Sequence, residues 1–316
     1  MNRVRLAVLG ALAAPAVATG LARWRVAAFE RLDEAELRTG AVAATSDGLL
    51  HYIERGKGEP LLLVHGLGAS VATFRRNLDR LAQSFRVVAV DLGGFGGSSR
   101  SLRDYSLRAH ARRLVELMDA LGIVRAHVVG HSMGGAVALH LAAGWPDRVD
   151  HLVLVAPASP ETMRFGAVAT TLVQPLFPLF GLLYHSRRFR TLTLRSAFHD
   201  PARMTEETLD AYWRPWRVRG HLRALARLMA DRRRDPGLDL RQVTSPTLIL
   251  WGASDTWLKP EQGERLRRRL ARARLEVVPE AGHLLPEERP EDFCRLIEAF
   301  LATRGAPSVA GEAPSG

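Results

Sequence analysis

Short apolar runs recur along the chain, each too brief for a helix and each followed by a segment long enough to form one. Leu61, Leu62, Leu63 and Val64 make one run; similar stretches occupy 87–90, 126–130, 151–155, 247–251 and 275–278. Runs of this length without polar alternation suit strands buried on both faces, as in a parallel sheet. A further strand is read at 49–54, closed by a turn through Gly56, Lys57 and Gly58. Helix-length segments lie at 71–82, 106–121, 133–144, 260–270 and 290–301. The alternation predicts an α/β fold, a mostly parallel sheet with helices on both faces.

The rhythm breaks from 159 to 239, where proline, arginine and large aromatic residues such as Phe165, Phe177, Tyr212 and Trp216 dominate. This stretch is read as a helical cap inserted between two core strands; ordinary long crossover helices are the plainer alternative. The core then comprises 26–158 and 240–303, with 26–45 as a linker or surface helix. Residues 304–316, rich in Gly, Ala, Pro and Ser, are expected to be a disordered tail. A chain of 316 residues with 47% hydrophobic content can bury a large core.

Arg3 and Arg5 precede an uncharged run from Leu6 to Ala22, with Ala16, Val17 and Ala18 as a cleavage-like tripeptide. Residues 1–25 are therefore expected to be a signal peptide or membrane anchor, with Trp24 at the interface. That places the protein in the exported or membrane-associated class. The alternative is an amphipathic helix packed on the domain. The formal charge of +11 is carried almost wholly by arginine, since Lys57 and Lys259 are the only lysines. Such a surface suits an anionic membrane face, and Arg187, Arg188 and Arg190 are candidates for it, or else a solvated run. No finger, RNP or helix-turn-helix pattern supports a nucleic-acid partner. Cys294 is the single cysteine, which excludes an intrachain disulfide framework and a cysteine-built metal site.

The chemistry-bearing motif is Gly130, His131, Ser132, Met133, Gly134. It follows an apolar strand and precedes a helix, the setting in which G-x-S-x-G holds a serine on a tight, strained turn. A serine hydroxyl is a weak nucleophile and needs a base. His283, after the last strand and before the terminal helix, is the candidate. Asp255, at the end of another strand, would hold the ring tautomer; a turn-forming role is its plainer alternative. The backbone N–H groups of Leu67, in the loop His65, Gly66, Leu67, Gly68, and of Met133 are the candidate oxyanion donors. His65 is read as a loop organiser and Asp91 as a structural carboxylate. The glycines at 93–97 lack the third glycine and immediate helix of a dinucleotide loop, and the loop at 65–68 lacks G-K-[ST]. No cofactor is expected. No catalytic metal is expected either, because His127, His131, His140 and His151 are read as scattered.

With these residues in view, 45–302 resembles the α/β-hydrolase superfamily, in the serine-triad esterase and lipase branch. The resemblance rests on His65 to Gly68, Asp91 to Ser98, Gly130 to Gly135, Trp251 to Asp255, and Gly282 with His283. It implies eight strands, a Ser132–His283–Asp255 triad, an oxyanion hole at Leu67 and Met133, and a cap after the sixth strand. Dehalogenases and epoxide hydrolases usually carry Asp where this chain has Ser132, which argues against both. The remaining implied activity is cleavage of hydrophobic acyl esters or lipids through an acyl-enzyme. Carbon–carbon, lactone, amide or thioester hydrolysis and cofactor-free haloperoxidation are the alternatives. Apolar residues Phe177, Phe180, Leu182 and Leu183 would line an acyl pocket or form the cap's own core.

Overall fold

The computed structural model describes residues 20, 22, 24–158, 181, 183, 186–231, 235 and 237–302. The cleavage-like tripeptide, Phe177, Phe180, Leu182 and the tail at 304–316 lie outside these. Among the described residues no helix is long and apolar enough to cross a membrane.

Eight strands form one sheet: β1 Ala41–Thr45, β2 Gly48–Arg55, β3 Glu59–Val64, β4 Phe85–Val90, β5 Ala126–His131, β6 Val149–Val155, β7 Thr247–Gly252 and β8 Ala273–Val278. Their spatial order is β1-β2-β4-β3-β5-β6-β7-β8. β1 pairs antiparallel with β2, and β2 antiparallel with β4. All other pairings are parallel. The order of crossovers reverses between β3 and β5. Loops leaving those two strands therefore part in opposite directions and leave a crevice at their carboxyl ends.

Alternate residues of each central strand enter opposite layers, because strand side chains alternate with a period of two. Leu62, Val64, Val128, Leu152, Leu154 and Ile249 join one buried layer with helices α1 Leu107–Ala120 and α2 Met133–Gly144. Leu61, Leu63, Val129, Val153 and Leu248 join the other, with Phe293, Ile297 and Phe300 of the terminal helix Pro290–Ala302. Both faces being covered explains why these strands read as continuous apolar runs.

Between β6 and β7 the described helices are α3 Arg187–Arg195, α4 Glu206–Trp213 and α5 His221–Asp231. Ala224, Leu225 and Leu228 of α5 belong to the first core layer. The insertion is thus anchored to the sheet rather than resting on it.

Three expectations are corrected. The segment 26–45, read as a linker or surface helix, begins within a helix at 24–29 but also contains edge strand β1, in which only Ala43 is buried, so no periodicity marked the strand. The Glu30 carboxylate also accepts the N–H groups of Gly220 and Leu222, each at 2.8 Å, at the start of α5. The stretch 71–82 is no single helix but a 3-10 turn, Val71–Phe74, and a short helix, Leu78–Leu81. Arg190 does not face outward. Its guanidinium is buried against the ring of Trp213 at 3.4 Å, with Phe29 beyond.

The fold buries several histidines. Burial pushes His110 and His131 down to about 3, and holds His221 well below the usual range. A histidine with a depressed folded pKa binds fewer protons folded than unfolded. Its contribution is intact above the unfolded value near 6.5 and is lost as pH falls toward 3. Calorimetry across this range should show Tm falling below about pH 6.5. His110→Leu should flatten part of that slope; an unchanged slope would count against the neutral buried ring.

Candidate active site

Ser132 sits between β5 and α2 with φ 53° and ψ −117°, a left-handed backbone that an L-residue adopts only under constraint. The constraint is backbone packed directly on backbone. A Cβ at Gly130 would lie 2.4 Å from the Gly134 carbonyl oxygen, and one at Gly134 only 2.3 Å from that of Val64. The Ser132 N–H is held by the Val155 carbonyl at 2.9 Å, and its own carbonyl accepts the Ala158 N–H at 2.9 Å.

His283 follows β8 and faces this serine. Its Nε2 lies 3.1 Å from Ser132 Oγ, and its Nδ1 lies 2.7 Å from Asp255 Oδ2. A carboxylate can only accept, so Nδ1 carries the hydrogen and Nε2 presents its lone pair to the hydroxyl. Asp255 also serves as a turn former. Its Oδ1 accepts the N–H groups of Trp257 and Leu258, each at 2.9 Å, which aims Oδ2 at the ring. One carboxylate thus forms the turn and meets the His283 ring. Asp255 and His283 are buried.

The loop after β3 completes the crevice. His65 Nδ1–H donates to the Gly66 carbonyl at 2.7 Å, and Nε2 accepts the Leu92 N–H at 2.9 Å. A trans peptide points its N–H opposite its C=O, so the Leu67 N–H is turned away from the His65 ring. Gly66 lies over the serine: a Cβ there would be 3.1 Å from Ser132 Cβ. Met133 opens α2, where the first N–H groups have no partner within the helix. Behind the loop, Asp91 accepts Val71 N–H, Gly97 N–H and His51 Nδ1–H, each at 2.7 Å. It braces the β4 turn and stands away from the serine. Trp216, from the insertion, covers Gly68 so closely that a Cβ would meet its ring at 2.7 Å.

Several contributors to this site were not singled out in the sequence. His131 Nε2–H donates to the His283 carbonyl at 2.9 Å, and the His283 N–H donates to the Ala197 carbonyl at 2.7 Å. Trp257 lies against the His283 ring, centroids 5.2 Å apart, and is 45% exposed. Glu288 is buried, and its carboxylate accepts N–H groups from Gly282 at 2.6 Å, His199 at 2.7 Å and Asp200 at 3.2 Å. It thereby ties the histidine loop to the segment after α3. No spacing rule marks such a carboxylate, because its partners are backbone groups from distant elements.

Residues 59–290 match the family described as alpha/beta hydrolase fold. The chain is 30% identical over 299 residues to a 2-hydroxy-6-oxo-6-phenylhexa-2,4-dienoate hydrolase of Comamonas testosteroni, covering 90% of this chain and all of that one. It is 26% identical over 310 residues to Lipase 3 of a Moraxella strain, covering 93% and 94%. Among solved structures, a bacterial membrane phospholipase A superposes with a TM-score of 0.72 at 26% identity, over 96% of this chain and 98% of that one. A variant of the meta-cleavage product hydrolase CumD gives 0.71 at 26% identity, over 83% and 98%.

Glu288→Ala would strip the buried Gly282 N–H and the part-buried N–H groups of His199 and Asp200 of their acceptor. An unpaired buried donor costs about 1–3 kcal/mol and the two part-buried ones can turn to water, so urea unfolding should show a loss of about 2 kcal/mol. A loss below about 0.5 kcal/mol, the range of ordinary surface changes, would refute the anchoring role.

Proposed function

The chain belongs to the alpha/beta hydrolase fold family and is a hydrolase; from that premise we propose that it cleaves carboxylic esters with hydrophobic acyl groups through an acyl-enzyme on Ser132. The observation that carries this reading is the alignment of three side chains. Ser132 Oγ lies 3.1 Å from an imidazole nitrogen whose opposite nitrogen is held at 2.7 Å by a carboxylate.

In the proposed reaction His283 Nε2 takes the hydroxyl proton as Ser132 Oγ attacks the ester carbonyl. The Asp255 carboxylate keeps the ring in the Nδ1–H tautomer and stabilises the imidazolium that forms. The N–H groups of Leu67 and Met133 receive the developing oxyanion. His283 then returns the proton to the leaving alcohol. A water molecule, deprotonated by the same nitrogen, releases the acid.

Support for an apolar ester comes from the rim. Leu67 and Trp257, both 45% exposed, flank the serine and histidine with apolar surface that suits an acyl or alkyl chain. The phospholipase and Lipase 3 alignments run over more than nine-tenths of this chain. A lipid-like ester at a membrane surface, met by an exported or envelope-associated enzyme, is the proposed setting, on the basis of the basic start and apolar run at the amino terminus. The second reading, carbon–carbon bond hydrolysis, is favoured by the full-length match to the Comamonas enzyme.

A panel of p-nitrophenyl esters of increasing acyl length, run beside 2-hydroxy-6-oxo-6-phenylhexa-2,4-dienoate, separates the two. The ester reading expects the esters to be turned over faster; faster consumption of the dienoate would replace it with the second. In either case Ser132→Ala should lower kcat by roughly a thousandfold or more. Turnover near the wild-type rate would sink the serine mechanism. Asp255→Asn, which removes the fixed tautomer, should lower kcat by a similar order.

A further inference from the structure

At the amino-terminal ends of the central strands, about 16 Å of extended chain from Ser132, a second cluster of chemically competent side chains converges. The sequence suggested that the histidines were scattered. The fold instead makes neighbours of His127, the second residue of β5, and His151, in β6, with ring centroids 5.2 Å apart. Asp150 joins them, and donor atoms of the three residues all lie within 4.8 Å of one another.

The backbone explains how two consecutive residues reach one point. Ala126 pairs with Val149, but Val128 pairs with Leu152, so Asp150 and His151 together oppose His127. An extra residue on one strand breaks the alternation of side chains and re-aims one of them. Asp150 and His151, which a regular strand would send to opposite faces, both turn toward His127.

His127 is buried, and its Nε2 lies 3.2 Å from Glu59 Oε2 at the start of β3. Glu59 only accepts, so Nε2 carries a hydrogen. The neutral ring then presents a lone pair at Nδ1, which has no hydrogen-bond partner among the described residues. Asp150 Oδ2 stands 3.3 Å from that nitrogen and accepts the His151 Nδ1–H at 3.0 Å; a metal bound here takes the place of that hydrogen, which moves to His151 Nε2 and frees the Nδ1 lone pair. Two electron-rich atoms facing each other call for a positive charge between them. Zinc bonds of about 2.0–2.1 Å at tetrahedral angles place neighbouring ligand atoms about 3.3 Å apart; Asp150 Oδ2 lies 3.3 Å from one imidazole nitrogen and 3.0 Å from the other, and the three donor atoms all fall within 4.8 Å.

We propose that His127 Nδ1, Asp150 Oδ2 and His151 Nδ1 bind a divalent transition metal of the zinc class. Two imidazoles and one carboxylate match the preference of that class, against the all-oxygen shell of magnesium or calcium. Glu59 orients the His127 ring from behind, as an outer partner does for a ligating histidine. Arg125 holds the other oxygen of Asp150 at 3.1 Å and leaves Oδ2 directed at the metal. Phe85 and Phe300 set ring edges against His127 and His151 and keep the surroundings apolar. Asp150 and His151 are partly open to solvent, which supplies the fourth ligand as water. The metal fastens β5 to β6 at their irregular ends and is remote from the hydrolytic crevice. Its role is structural.

The test uses the full chain, stripped with chelator, dialysed and titrated with Zn²⁺, with Mg²⁺ as the oxygen-preferring control. Expected are one equivalent of zinc retained on dialysis by mass spectrometry of the metal, and a higher Tm with Zn²⁺ that Mg²⁺ does not reproduce. His127 is buried, so its replacement would confound binding with folding. The variants are therefore Asp150→Asn and His151→Gln, checked for native circular dichroism. Each should weaken zinc binding at least tenfold and abolish the Tm rise. Failure of the wild-type chain to retain zinc, or unchanged affinity in either folded variant, would overturn the site.

Discussion

Backbone packed on backbone at the turn from β5 into α2 is the contact on which the rest depends. With no room for a Cβ at Gly130 or Gly134, the first turn of α2 settles against the end of β3. That contact forces Ser132 into its left-handed conformation and brings its hydroxyl under the loop of Gly66 and Leu67. Since close-packed interiors transmit rather than absorb displacement, a side chain added at either glycine would separate Ser132 from the loop. Placement of both at a reversal of strand order makes the crevice a consequence of topology.

Around this contact lies a layer of buried polar groups whose partners are mostly backbone. Asp91 and His65 hold the loops after β4 and β3, while Glu288, His131 and the Ala197 carbonyl hold the loop of His283. A loop fixed at its N–H and C=O groups leaves its side chain few orientations. That is how a histidine supported by residues from three separate elements comes to rest within hydrogen-bond distance of a serine. The same burial keeps His131 neutral, so it donates from one nitrogen without placing a positive charge beside His283.

The insertion between β6 and β7 takes part in this support. Trp216 caps Gly68, the backbone after α3 accepts from His283, and α5 enters the core layer. Leu284, next to His283, packs with Leu194, Phe198 and Leu209 of the insertion. Its helices therefore influence the position of the histidine as well as the shape of the crevice. The amino-terminal segment is tied to the same unit through Glu30 and α5.

The interior strands were legible in the sequence because burial on both faces leaves an unbroken apolar run, and Ser132 and Asp255 were legible because each follows such a run; His283 follows β8, an edge strand that is mostly unburied, contrary to the expectation of a strand covered on both faces. Edge strand β1 was not, since a strand with one buried residue carries no pattern. Glu288 and the His127 cluster were hidden for a different reason. A carboxylate that accepts from distant backbone, or two histidines joined by an irregular pairing of neighbouring strands, is defined by distance in space. The sequence by itself determined the order of the interior strands and of the long helices between them, and the residue types at the strand ends, through local burial and turn chemistry. Tertiary structure decided which of those ends meet, because register, bulges and close backbone approach arise only when separate segments pack.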